Sequence, residues 1–121
     1  MEGIMYVRTS FTPIRMISGQ KDPVALGVQV TNRSDAKKSY TVIVKAPVAF
    51  GFEKSGLMRE NRIRIKNVDM GKGKEAVFSV YGKFNLQKGF YAFDVTVLEH
   101  KDERFDKPMA TEQSKANLRV E

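Results

Sequence analysis

The sequence contains few side chains that could carry out catalysis. The chain contains one histidine, His100, and no cysteine. A catalytic triad would need His100 as its base. It stands at the exit of a strand beside Lys101, where we expect it to be solvated. The Gly-x-Ser-x-Gly motif that exposes a nucleophilic serine is absent. We therefore predict that the protein is not an enzyme and uses no cofactor.

One short segment clusters residue types that ligate metals: His100, Asp102, Glu103 and Asp106. Calcium accepts clustered carboxylates, but it needs about six oxygen ligands from a defined loop. Three cations are interleaved with these acids and would neutralise such a site. We interpret residues 100–108 as a charged hairpin loop and predict no metal site.

The strongest candidate for recognition is the basic stretch Arg59–Lys74. The chain carries a net charge of +7, and this stretch holds six cations against two acids. Alternation along a strand would line up Arg62, Arg64 and Lys66 about 6.6 Å apart, a spacing that a phosphate backbone could follow. The candidate partner-binding residues are Arg62, Arg64, Lys66, Lys72 and Lys74.

Three interpretations of this stretch remain open. Outward cations protect an edge strand from pairing with another chain. They could instead bind an anionic partner, or form salt bridges with a neighbouring strand. No aromatic residue stands between the cations, as stacking of single-stranded nucleic acid would require. The favoured partner is another protein, with an acidic surface, and the alternative is nucleic acid or another polyanion.

Two further motifs have weaker interpretations. The Gly71–Lys74 segment lacks the spacing of a phosphate-binding loop, and no helix is predicted after it, so a tight hairpin turn explains it better. The Asn32-Arg-Ser34 sequence matches the Asn-x-Ser acceptor sequence for N-glycosylation, which is relevant only in an exported protein.

The elements that must position these residues are strands. Tyr91, Phe93, Val95 and Val97 recur at every second position, as in a half-buried strand. Short segments of this kind, separated by turns, predict an all-β, immunoglobulin-like antiparallel β-sandwich of seven or eight strands, with an OB-type barrel as the alternative. The predicted core is Val24, Leu26, Val28, Val30, Val42, Val44, Ile63, Ile65, Phe78, Val80, Tyr91, Phe93, Val95 and Val97.

A structural corner is predicted before the strand at Tyr91. Gly89 can adopt a positive φ, and the Tyr91 hydroxyl can bond back to the backbone of the preceding loop. The irregular segment 46–58 carries Phe50, Phe52, Leu57 and Met58. These would bind a partner if exposed, and burial at one end of the core is the favoured interpretation.

Length and composition set the class of protein. With 121 residues the chain suffices for one domain, 1–121. No apolar run approaches the roughly 18 residues of a membrane span, and the start does not resemble a signal peptide. These features predict a cytoplasmic location, or a cell-surface or secreted one if the chain is a domain of a longer protein.

The order of these segments resembles a known family. PVALGVQVTNRSD ends in an Asn-containing turn, and GFYAFDVTV begins with Gly-x-Tyr. These features resemble the immunoglobulin-like sandwich modules of the CARDB and NEW3 kind, found in archaeal and bacterial surface and adhesion-related proteins. The resemblance implies a non-enzymatic protein-interaction or structural module. A glycan-binding domain is a third interpretation, which would require surface positions for Phe90, Tyr81 and Phe52.

Overall fold

The computed structural model describes residues 5–121, which form two packed β-sheets. Its strands are β1 (Met5–Thr12), β2 (Arg15–Met16), β3 (Val24–Asn32), β4 (Lys38–Lys45), β5 (Phe50–Gly51), β6 (Glu60–Val68), β7 (Gly73–Gly82), β8 (Gly89–His100) and β9 (Ala110–Val120). The predicted all-β class is confirmed. Within the described range no helix is long and apolar enough to cross a membrane.

The two sheets have the strand orders β1-β3-β7-β5 and β2-β9-β8-β4-β6. Every pair is antiparallel except the short β2–β9 pair. A proline at position 13 predicts either an edge strand or a strand split in two. β1 is an edge strand, and β1 and β2 lie in different sheets on either side of Pro13. The predicted first strand includes Ile4, which lies outside the described residues.

The alternating segments of β3 and β8 supply the core as predicted. Leu26 in one sheet and Phe93 in the other are fully buried, and Phe11 and Phe50 pack against the Phe93 ring. Burying four such large apolar groups is a major driving force for folding. Twelve of the fourteen predicted core residues are buried. The other two, Ile63 and Tyr91, are half-buried and pack against the core from its margin.

The irregular segment divides in a way that the sequence did not predict. Phe50 and Phe52 are buried, as the favoured interpretation requires, but Leu57 and Met58 are exposed. The reason is a compact reversal of the chain after β5, in which Phe52 N–H donates to the Met58 carbonyl at 2.8 Å. This bond closes the loop and leaves its tip outside the core.

A β-bulge interrupts the pairing of β6 with β4. Lys38 pairs with Val68 and Tyr40 pairs with Ile65, so one residue of β4 opposes two residues of β6. The extra length is taken up at Asn67, which has a φ of 53° and donates its N–H to the Ser39 hydroxyl at 3.0 Å. Ile65 and Val68, three positions apart, are therefore both buried.

Candidate functional site

The basic strand β6 lies at the edge of the five-stranded sheet. Within residues 5–121 it pairs with β4 alone, where Arg62 opposes Ile43 and Arg64 opposes Thr41. Arg62, Arg64 and Lys66 are exposed, and Ile65 beside them is buried. The side chains of β6 thus separate into an apolar inner row and a cationic outer row.

Two of the five candidate cations are engaged within the protein. The Arg64 guanidinium lies 4.9 Å above the centre of the Phe105 ring, a cation–π contact. Lys74 Nζ donates to the Lys66 carbonyl at 3.0 Å. Arg62, Lys66 and Lys72 have no carboxylate partner among residues 5–121. These three cations remain available to an outside partner, without forming an evenly spaced row.

The surroundings of His100 differ from the solvated position that the sequence suggests. His100 is only 4% exposed. Its Nδ1–H donates to the Asp106 carbonyl at 2.7 Å, and its Nε2 lies 2.9 Å from the Thr41 hydroxyl. The reason is that the β8–β9 loop folds back and places the Phe105 ring edge-on against the imidazole. Both ring nitrogens are used internally.

The acids of the same loop form bonds within the protein. Arg104 pairs with Asp102 at 3.0 Å and with Asp106 at 3.9 Å. Hydrogen bonds from Arg104 hold the pKa of Asp102 below its usual value. Glu103 accepts a bond from the Asn67 amide at 3.0 Å. No group of three metal-ligating side chains converges anywhere in the described part of the chain.

A buried carboxyl group on β8 escaped the sequence analysis. Glu99 is fully buried, and its Oε2 accepts a bond from the Tyr40 hydroxyl at 3.0 Å. Its other oxygen, Oε1, has no hydrogen-bond partner among the described residues. Burial raises the pKa of Glu99, and the Tyr40 bond and the Lys38 charge oppose that rise. Burial also raises the pKa of Tyr40. Phe93, Val95 and Val97 face the core at every second position. Glu99 is the next position in this series, so the same alternation predicts that its side chain points inward.

The glycosylation-like sequence at Asn32 instead closes a turn. Asn32 is fully buried, and its Nδ2 donates to the carbonyls of Ala36 and Val68, each at 2.8 Å. Its Oδ1 accepts bonds from the backbone N–H and the hydroxyl of Ser34. Gly71, with a φ of 72°, donates its N–H to the Asn32 carbonyl. Through these bonds Asn32 connects the β3–β4 turn to the β6–β7 turn.

The corner residues lie at the opposite end of the sandwich. Gly89 has a φ of 146°, in the region that favours glycine. The Tyr91 hydroxyl donates to the Gln87 carbonyl at 2.7 Å, and the Tyr91 ring packs edge-on against Phe50 at 5.0 Å. The contribution of this corner to stability stays a prediction.

The aromatic residues considered for glycan binding do not form one surface. Phe90 is exposed, with Arg119 5.8 Å from its ring centre. Tyr81 is half-buried on the other sheet, and Phe52 is buried. A sugar ring therefore cannot stack on the three together.

Comparison with known proteins identifies the fold. No protein-family model and no curated protein matches the chain. Self-complemented MyfA, the major subunit of Myf fimbriae from Yersinia enterocolitica, superposes with a TM-score of 0.53 at 16% identity, covering 95% of this chain and 98% of that one. Its complex with galactose gives 0.52 with the same identity and coverage. AggA, the major subunit of aggregative adherence fimbriae type I from Escherichia coli, gives 0.47 at 16% identity, covering 99% and 96%.

The similarity to MyfA and the two-sheet architecture confirm the predicted immunoglobulin-like β-sandwich. At this level of identity they establish the fold, which many unrelated functions share. The narrower resemblance to the CARDB and NEW3 modules is not shown by any match and stays a prediction.

Proposed function

We propose that the chain is a non-enzymatic structural or protein-interaction module, one sandwich domain over residues 1–121. Its working surface is the edge of the five-stranded sheet at β6 together with the adjoining β6–β7 turn, where Arg62, Lys66 and Lys72 meet an acidic protein. The observation that carries this proposal is that all three cations are exposed and lack a carboxylate partner among residues 5–121. Charge complementarity of this kind steers association and fixes the orientation of the partner.

Two observations support a role without catalysis. His100, the only histidine, uses both ring nitrogens in internal contacts. The fold is also that of a fimbrial major subunit, which builds a protein assembly. The same similarity favours a cell-surface or exported location over the cytoplasm. No residue role is transferred from that protein, because identity is only 16%.

The structure weakens the nucleic-acid alternative. Phosphates along a strand would need evenly spaced cations, but Arg64 lies over Phe105 and Lys74 donates to a backbone carbonyl. A labelled oligonucleotide tests this point at low salt, where non-specific binding is strongest. We expect no binding there, and steep loss of binding between low and physiological salt would favour the alternative.

The main test is capture of partners from native cells with the wild-type chain and with the double variant Arg62→Glu, Lys66→Glu. We expect the variant to lose the captured protein, because reversing two interface charges opposes an acidic surface. The matched control is Lys101→Glu, Lys107→Glu, which reverses two exposed charges in the β8–β9 loop. Equal loss with the control, or full capture by the first variant, would contradict the proposal.

A further inference from the structure

A second surface lies at the end of the sandwich opposite the charged β8–β9 loop. We call it the apolar end; it consists of loops 17–23, 46–49, 52–59 and 83–88. The loops meet around the last of these. Lys83 N–H donates to the Ala49 carbonyl at 2.9 Å, and the Ser18 hydroxyl donates to the Leu86 carbonyl. Leu86 is buried, so it anchors its loop while the neighbouring residues project.

The projecting residues of the apolar end are unusually exposed apolar side chains. Phe84 is 96% exposed, Leu57 is 86% exposed and Val48 is 68% exposed. Each stands on a different loop, and the loops adjoin one another. Single exposed apolar residues are common on protein surfaces, but a group of them marks an interaction site.

Lysines stand on three of the four loops of the apolar end. The four loops contain five cations and two acids. Lys21, Lys54, Lys83 and Lys88 form no ion pair among the described residues. One of the two acids, Glu53, is turned toward its own loop, where it accepts bonds from the Ser55 hydroxyl and from Met58 N–H. The positive charge is therefore left for an outside partner.

We propose that the apolar end docks on an anionic phospholipid bilayer surface. The tips at Val48, Leu57 and Phe84 would enter the boundary between headgroups and acyl chains. The surrounding lysines would remain at headgroup level, since their long stems allow the charge to reach phosphate oxygens.

The exposure of the apolar tips and the charge around them favour a bilayer over a protein. An aromatic anchor at a protein interface fills a matching pocket, and its partner must be shaped to receive it. Phe84 projects from its own protein, 96% exposed, beside an open depression that Lys21 and Lys54 also line. A bilayer accepts such projections without a preformed cavity, and anionic headgroups complement the lysines. The surface is separate from Arg62 and Lys66, so the two proposals can fail independently.

Vesicle co-sedimentation tests the proposal with phosphatidylcholine vesicles and with mixed phosphatidylcholine–phosphatidylserine vesicles. We expect binding to the mixed vesicles and none to phosphatidylcholine alone. Phe84→Ser should weaken binding at least about tenfold, because it removes a large apolar group from the inserted surface. Lys54→Gln and Lys83→Gln should each weaken it about fivefold.

Matched controls lie at the opposite end of the sandwich. Met70→Ser removes an exposed apolar side chain there, and Lys101→Gln, Lys107→Gln removes two exposed charges. Both should bind like the wild type, and circular dichroism verifies that every variant is folded. Absence of binding to the mixed vesicles would overturn the proposal. So would equal losses in the controls, or charge-dependent binding that Phe84→Ser leaves intact, since that outcome requires no insertion.

Discussion

The two ends of the sandwich use their loops in opposite ways. The charged end, formed by loops 33–37, 69–72 and 101–109, contains six cations and five acids. Its groups bond one another, as in the Lys37–Asp69 ion pair at 3.5 Å. The apolar end has two acids, three strongly exposed apolar tips, and four lysines that form no ion pair within residues 5–121. The charged end pairs several of its groups internally, although Lys72, Lys101 and Lys107 have no ion pair among residues 5–121. The apolar end leaves nearly all of its positive charge unpaired beside more strongly exposed apolar side chains.

The difference shows that a count of charges alone does not locate a site. The charged end has more cations than the apolar end, yet Arg104 is neutralised by Asp102 and Asp106. Exposed ion pairs of this kind add little stability, but they remove charge from the surface field. Unpaired charge beside exposed apolar surface is the more informative combination.

The largest effect expected from this comparison is at Asn32. Replacing it with alanine should lower the free energy of unfolding by about 3 kcal/mol, because the carbonyls of Ala36 and Val68 lose their donor. Urea denaturation measures the change. Asn85→Ala at the apolar end, where the side chain is exposed, is the control and should change stability by less than about 0.5 kcal/mol. Equal effects would contradict the contrast between the ends.

The next largest effect contrasts two phenylalanines. Phe105→Ala should cost about 2 kcal/mol, because the ring contacts His100 and the Arg64 guanidinium. Phe84→Ala should cost less than about 0.5 kcal/mol, because its ring is exposed. Thermal or urea unfolding of both variants provides the measurement. A larger loss of unfolding free energy in Phe84→Ala would mean that this ring packs against its own protein and is not available to a partner.

A smaller effect is expected at the corner of the apolar end. Tyr91→Phe removes the hydroxyl that bonds to the Gln87 carbonyl and should cost about 1 kcal/mol. Tyr81→Phe is the matched control, since Tyr81 is also half-buried. Urea unfolding of the pair distinguishes a corner bond from a general effect of losing a hydroxyl. Similar losses in both variants would show that the corner contributes nothing specific.

The smallest expected effect is the pH dependence of folding stability that the buried Glu99 carboxyl group produces. Because its pKa is raised in the folded state, the folded protein binds the proton more tightly than the unfolded chain does. The resulting stabilisation is present below the unfolded pKa of about 4.3 and is lost as pH rises through the folded value. The free energy of unfolding of the wild type, minus that of Glu99→Gln, should therefore decrease from acidic to neutral pH. A rise over that interval, in urea unfolding at several pH values, would contradict this assignment.

The sequence predicts much of the fold because strand alternation is a local property. The period of the two strands predicts that Leu26 and Phe93 are core residues, and both are buried. Ile63 is only half-buried because β6 lies at a sheet edge, and an edge position depends on which strands become neighbours. The exposure of Leu57 depends on the Phe52–Met58 bond, which closes a loop without any periodic pattern.

The candidate sites are less predictable because they depend on contacts between distant residues. Arg64 and Phe105 are far apart in sequence, and nothing local to either shows that the ring covers the guanidinium. The buried position of His100 depends on the same loop closure. The group at Val48, Leu57 and Phe84 forms because the topology brings three separate loops to one end.

The bulge at Asn67 also determines which changes of length β6 can tolerate. Before Asn67 the side chains at odd-numbered positions, such as Ile63 and Ile65, face the interior. After Asn67 the side chain at an even-numbered position, Val68, faces the interior. Deleting one residue between Glu60 and Ile65 would exchange the inner and outer rows, placing arginine side chains between the sheets. Deleting Asn67 itself would leave the inward order of Ile63 and Ile65 intact and remove only the irregular step. Single-residue length variation should accordingly be harmful along most of this strand and mildest at its one left-handed residue.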